Sequence, residues 1–172
     1  MQAVDYWHRL TMYLERLGIP NAVRTPAKYS SVFPLPLLKE TPLPDGYQAF
    51  VRVYGFPTLY IDEDICLGFL PVEQSRQHPL YSLGVYPFAV CSSDCSIGVG
   101  FILKDDECYV AAFEGIEHID IEGTFEQWLG MQVRQFLRQL MHYNIERLRD
   151  KSYEVSEDPL GLLEADTLMQ IS

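Results

Sequence analysis

Between residues 86 and 129, four runs rich in apolar, β-branched and aromatic residues, 86–92, 98–103, 108–113 and 116–121, are separated by short polar turns and lead straight into a capped amphipathic helix. Connections this short leave no room for a parallel crossover, so successive strands must pair antiparallel. Lys104-Asp105-Asp106-Glu107 reads as a four-residue polar loop joining two of these strands into a hairpin. After Gly123, Thr124 stands at an N-cap position with Gln127 three residues on, a capping box ahead of Trp128 and Leu129. The helix that follows is expected to run to about Arg149, with Phe125, Trp128, Leu129, Val133, Phe136, Leu137, Leu140 and Met141 on its core face.

The same stretch carries an unusual charge distribution. From Asp105 to Val133 there are eight carboxylates, Asp105, Asp106, Glu107, Glu114, Glu117, Asp120, Glu122 and Glu126, and no Lys or Arg. The whole chain is acidic, with a formal charge of −11 over 172 residues and a pI near 4.7. Phosphate binding needs clustered Lys and Arg, so nucleic acid is not the expected ligand, and anionic membrane surfaces are disfavoured for the same reason. A negative field attracts a basic protein surface and penalises acidic competitors. The bland alternative is charge that serves solubility alone.

At 48% apolar residues the chain fits one domain that can bury a core without disulfides or metal. No secretory leader opens the sequence, and no run approaches the ~20 apolar residues of a membrane span. A cytoplasmic location is therefore expected, with Cys66, Cys91, Cys95 and Cys108 as free thiols. Upstream, residues 3–17 place Val4, Trp7, Leu10, Tyr13, Leu14 and Leu17 on one helical stripe, which Gly18-Ile19-Pro20 stops. Five prolines between 26 and 44, interleaved with Val32, Phe33, Leu35, Leu37 and Leu38, predict an extended segment packed over the domain. A short helix follows from Asp45 or Gly46, led by a proline and an Asp cap, to Tyr54. Residues 58–61 and 65–70 read as a second hairpin across Asp62-Glu63-Asp64, and 73–78 as a loop or a short helical turn. Residues 152–172 form an acidic tail bearing Leu160, Leu162, Leu163, Leu168 and Met169, set apart from the domain at 1–151 and expected to dock in part.

The chain offers little catalytic chemistry. Cys91, Cys95, Cys108 and His118 could supply four zinc ligands, but their spacing is loose and paired two-residue knuckles are missing, so core packing is the better reading. The histidines form no zincin-type helical pair, and no Gly-x-Ser-x-Gly elbow lifts a serine from a turn. Gly98-Val99-Gly100 lies inside a strand pattern and does not open a helix, as a phosphate loop would. Neither cofactor nor metal nor enzymatic activity is expected.

The order of elements resembles the SUKH superfamily. The resemblance is carried by Thr-Pro-Leu-Pro-Asp-Gly-Tyr-Gln-Ala-Phe at 41–50, Leu67-Gly68-Phe69-Leu70-Pro71-Val72-Glu73, Tyr86-Pro87-Phe88-Ala89-Val90 and Gly123-Thr124-Phe125-Glu126-Gln127-Trp128-Leu129, in order over residues 1–145. It implies an α+β fold with a curved antiparallel sheet, which the strand pattern puts at five to six strands, plus an N-terminal helix, a short second helix and a long C-terminal helix. It also implies a non-enzymatic role, since many bacterial members look like immunity proteins that neutralise polymorphic toxins, often nucleases, while eukaryotic relatives act as regulatory hubs. The acidic tail is extra, and Val53-Tyr54-Gly55-Phe56 stands where relatives often have Asn-Gly. Both departures leave the subfamily and its partner open.

The binding residues expected from charge and resemblance together are Asp105, Asp106, Glu107, Glu114, Glu117, Asp120 and Glu122, with Tyr109 or Tyr86 as an aromatic anchor unless these tyrosines face the core. The expected partner is a basic toxin or effector protein bound by a monomer. The competing expectation is an acidic secretion chaperone or adaptor, which would dimerise and hold its client on an apolar surface.

Overall fold

The structure, a computed structural model, describes residues 2–25, 33–61, 64–91 and 97–142, with the side chains of 118 and 119 left aside. It is an α+β fold: seven antiparallel strands form one open sheet in strict chain order, β1 (Val23–Arg24), β2 (Thr58–Ile61), β3 (Asp64–Phe69), β4 (Tyr86–Val90), β5 (Ile97–Lys104), β6 (Glu107–Glu114) and β7 (Glu117–Gly123). The helices are α1 (Ala3–Arg16), α2 (Asp45–Tyr54), α3 (Val72–Gln77) and α4 (Phe125–Leu140). β1 is the strand that the sequence pattern did not predict. Two residues are too few to show alternation.

One face of the sheet packs against α1, α2 and α4 around an aromatic centre. Trp128 meets Phe88 edge-on at 5.0 Å and Phe69 at 6.1 Å, while Tyr47 lies 5.1 Å from Phe101 and 5.4 Å from Phe125. Such offset and edge-on pairs add to simple area burial. α4 enters this core as its capping box directs: the Thr124 hydroxyl accepts from the Gln127 N–H, and the Thr124 N–H donates to Gln127 Oε1 at 3.0 Å. Its expected core residues are buried with one exception, Met141, which is 48% exposed because the helix ends at Leu140. Arg149 and the whole acidic tail lie outside the described residues, as does the first part of the proline-rich stretch. The remainder of that stretch packs as expected through Leu35, Leu38 and Leu43, although Leu37 faces solvent. α2 begins at Asp45 itself, with Pro44 in the cap position and no side-chain cap bond. Residues 73–78 are mostly helical, as α3, which starts one residue earlier at Val72.

The reverse face is covered in part by α3 and the 3₁₀ turn Pro79–Leu83, where Leu80 and Val85 pack on Ala111 and Phe113. Gly100 of β5 makes this approach possible. A Cβ on Gly100 would sit 2.6 Å from Val85 Cγ1 and 2.9 Å from the Tyr86 carbonyl oxygen, well inside contact distance. Since backbone cannot give way as a side-chain tip can, Gly100→Ala is expected to cost about 1–3 kcal/mol, read as a lower urea midpoint. A midpoint within error of the parent would show that the strap is not pressed onto β5.

The β5–β6 hairpin is tighter than the sequence suggested. Lys104 pairs directly with Glu107, so the turn has two residues, Asp105 and Asp106, at φ 53° and 62°. Aspartate tolerates the left-handed region, and two such residues in succession give the turn whose twist matches the flanking strands.

Candidate functional site

The expected binding residues occupy the β5–β6–β7 margin of the sheet, in two groups. Asp105, Asp106, Glu107 and Tyr109 meet at the β5–β6 turn, where the Tyr109 hydroxyl donates to Glu107 Oε2 at 2.7 Å. That bond and the neighbouring negative charge raise the Tyr109 hydroxyl above the usual tyrosine range. Tyr109 pairs with Ile102 and is half-buried, so it can form part of a contact surface. Tyr86 cannot: it is completely buried, which corrects its candidacy as an anchor. Lys104 stands across from Glu107 and tempers the negative charge of this tip.

Glu114 and Glu117 lie at the other end of β6, about 24 Å away for eight residues of extended strand. Glu107 and Glu114 are also seven positions apart, so alternation puts their side chains on opposite faces. A single flat patch of all eight residues is therefore not what the fold builds. Instead, Glu114 and Glu117 are direct cross-strand partners flanking the turn at Gly115 and Ile116, and Ile116 is 61% exposed between them. Like charges directly opposite one another weaken a strand pair. Asp120 and Glu122 continue this second group along β7, where the Asp120 carboxylate accepts the Ile121 N–H at 2.8 Å.

A second feature was not anticipated from the sequence. A cleft of about 510 Å³ opens between the β2–β3 hairpin and α4, with Leu59, Ile61, Leu67 and Phe136 on its apolar side and Gln132, Gln135 and Gln139 along α4. No Asp, Glu, Lys or Arg is among its described lining residues, which also include His142. Cys66 and Cys91 also line it. Burial raises both thiols: Cys91 goes up to about 11, with Cys66 and Glu122 adding to the rise, and Cys66 goes up with Asp64 adding to the rise against a backbone hydrogen bond from Ile61. Thiols held protonated at neutral pH are poor nucleophiles and poor metal ligands. The spacing of the three glutamines, three and four residues apart, was the only sequence signal for a shared helical face.

Of the four residues considered for zinc, Cys95 and the His118 side chain lie outside the described residues, while Cys91 and Cys108 serve different places. Cys91 faces the cleft, whereas the Cys108 thiol lies 3.8 Å from the Pro42 carbonyl oxygen. Among the described residues, no three His, Cys, Asp or Glu side chains converge as metal ligands, and no helix is long and apolar enough to cross a membrane. Compared with known protein families, curated proteins and solved structures, the chain matches none.

Proposed function

We infer that this protein is a non-enzymatic docking domain whose acidic sheet margin captures a basic protein, in the manner of an immunity protein neutralising a toxin such as a nuclease. The SUKH resemblance of the sequence supports this reading, and so does the charge. The single observation that carries it is the Glu114–Glu117 pair. A cross-strand repulsion with an exposed isoleucine between its members lowers the stability of the isolated fold and gains value only when a positive surface covers it. A nuclease presents such a surface because it must grip phosphates, and an acidic inhibitor can occupy the same groove. On this reading the protein works as a cytoplasmic monomer without a cofactor.

The hairpin tip is expected to steer the encounter. Replacing Asp105, Asp106 and Glu107 together by lysine should slow association with the basic partner about tenfold or more at low salt and flatten its salt dependence, measured by stopped-flow fluorescence. Identical rates for the parent and the triple variant would remove the tip from the interface.

The largely apolar and amide-lined cleft favours a second reading, an acidic secretion chaperone or adaptor that holds an apolar segment of its client between α4 and the β2–β3 hairpin. That protein would be a dimer, and its client would stay bound at high salt.

A further inference from the structure

We propose that the free edge of β7 accepts an added strand from the partner protein, and that the strand it accepts carries Lys or Arg. This rests on the acidic-margin reading and specifies how that margin holds its partner.

The sheet is open, so its two ends are edges, and they differ. β1 has only the two residues Val23 and Arg24, too short to template a strand. β7 has seven residues, is bonded to β6 on one side, and has no strand beyond it among the described residues. An edge of that length offers backbone donors and acceptors to any extended segment, including β7 of a second copy.

Two features keep a second copy away. The register with β6 slips twice, passing from Gly123 to Ile121 and from Asp120 to His118 against consecutive β6 residues, and such bulges shorten the ladder another strand can form. The edge also carries Glu117, Asp120 and Glu122, which in a pairing of two β7 strands would face the same carboxylates. Asp120 reinforces this guard by folding its carboxylate onto the strand to take the Ile121 N–H.

A basic strand reverses both effects. Its Lys or Arg takes the Asp120 carboxylate in a charge-assisted bond and so frees the Ile121 N–H for a carbonyl of the incoming chain. Ile121, 38% exposed, and Ile116 then supply apolar contact beside the new ladder. Because the bulges keep that ladder short, charge must supply much of the selectivity.

The test uses the full ¹⁵N-labelled chain and two short peptides that differ only in charge, one alternating Lys and Val, the other Glu and Val. The Lys peptide is expected to slow hydrogen exchange of the β7 amides, Ile121 included, about fivefold or more, equivalent to roughly 1 kcal/mol of added protection. The Glu peptide should leave them unchanged, and Asp120→Lys should shift the preference toward the Glu peptide. If that variant does not fold, Asp120→Asn takes its place and should weaken protection by the Lys peptide. Equal protection by both peptides overturns the proposal. Shifts at the acidic groups without slowed β7 exchange overturn strand addition while leaving the acidic-margin reading intact, whereas a Lys peptide that perturbs nothing defeats both.

Discussion

Trp128→Ala is expected to lower stability by about 3–5 kcal/mol, the usual cost of deleting a fully buried tryptophan, out of the roughly 5–15 kcal/mol that holds a domain folded. Trp128 is where α4 is keyed to the sheet. Its ring meets Phe88 of β4, Phe69 of β3 and Phe125 at ring-centre distances of 5.0 to 6.1 Å. These neighbours are themselves large and interlocked, so they cannot collapse into the space left behind, and the cost should sit toward the upper end of the range. For a chain of this size the loss corresponds to a melting temperature lower by about 6–20 °C. Met131→Ala, on the exposed side of the same helix, should change stability by no more than about 0.5 kcal/mol. A Trp128 variant that melts within a few degrees of the parent would mean that α4 is held by something other than this aromatic centre.

A second large effect is expected in alkali. Burial pushes Cys91 from 9.0 to about 11, and burial also pushes Tyr86 from 10.0 to about 12 against the opposing influence of Ser75 and Arg76. Fully buried Tyr47 is raised well above 10.0, chiefly by burial and further by Tyr86. Each group holds its proton more tightly in the folded chain than in the unfolded one. Below pH 9 both states keep these protons and stability does not depend on them. Above it the unfolded state loses protons first, so stability falls as pH rises, through about 11 for Cys91 and about 12 for Tyr86. A two-unit elevation is worth about 2.7 kcal/mol, so these two groups together remove on the order of 5 kcal/mol by pH 12, and Tyr47 adds to the loss. Urea midpoints followed by circular dichroism should be level with respect to these groups up to pH 9 and decline steeply beyond it. In Cys91→Ala the decline should be shallower between pH 9 and 11, carried there by Cys66 and Cys108, which burial also raises, until tyrosine takes over. A midpoint that holds to pH 11 would show that these groups are not buried as described.

Much of the fold could be read in the residues because local chemistry and burial agree. Thr124 and Gln127 fix where α4 starts, and the apolar spacing behind them names the face that is buried. The runs around Phe88, Phe101 and Val110 are rich in β-branched and aromatic residues, as strands favour, and turns this short leave only antiparallel order. What escaped reading depended on distance in space. β1 is held by pairing with Thr58 and Leu59 rather than by any pattern of its own. Met141 continues the helical stripe in sequence but falls past the last turn. Gly98 and Gly100 read simply as part of a strand pattern, yet the missing side chain of Gly100 is what admits Val85 and the backbone beside it.

The acidic residues show the same limit. Counting carboxylates between 105 and 122 shows that this part of the chain is acidic, but only the eight-residue length of β6 and the parity of Glu107 and Glu114 separate them into a tip and an edge. The cleft could not be seen at all, because one wall comes from residues 59–67 and the other from residues 132–142. That its described lining holds no Asp, Glu, Lys or Arg, in a chain of net charge −11, is a product of topology, not of composition.

Hydrogen exchange on the full chain, compared free and in the presence of a candidate basic protein, tests the proposed docking most directly. Slowed exchange at residues 104–107 and 115–123, with α4 and the β2–β3 hairpin unchanged, is the predicted result. Protection confined to the cleft between Leu59 and Gln139, with the acidic margin exchanging as freely as before, would contradict it.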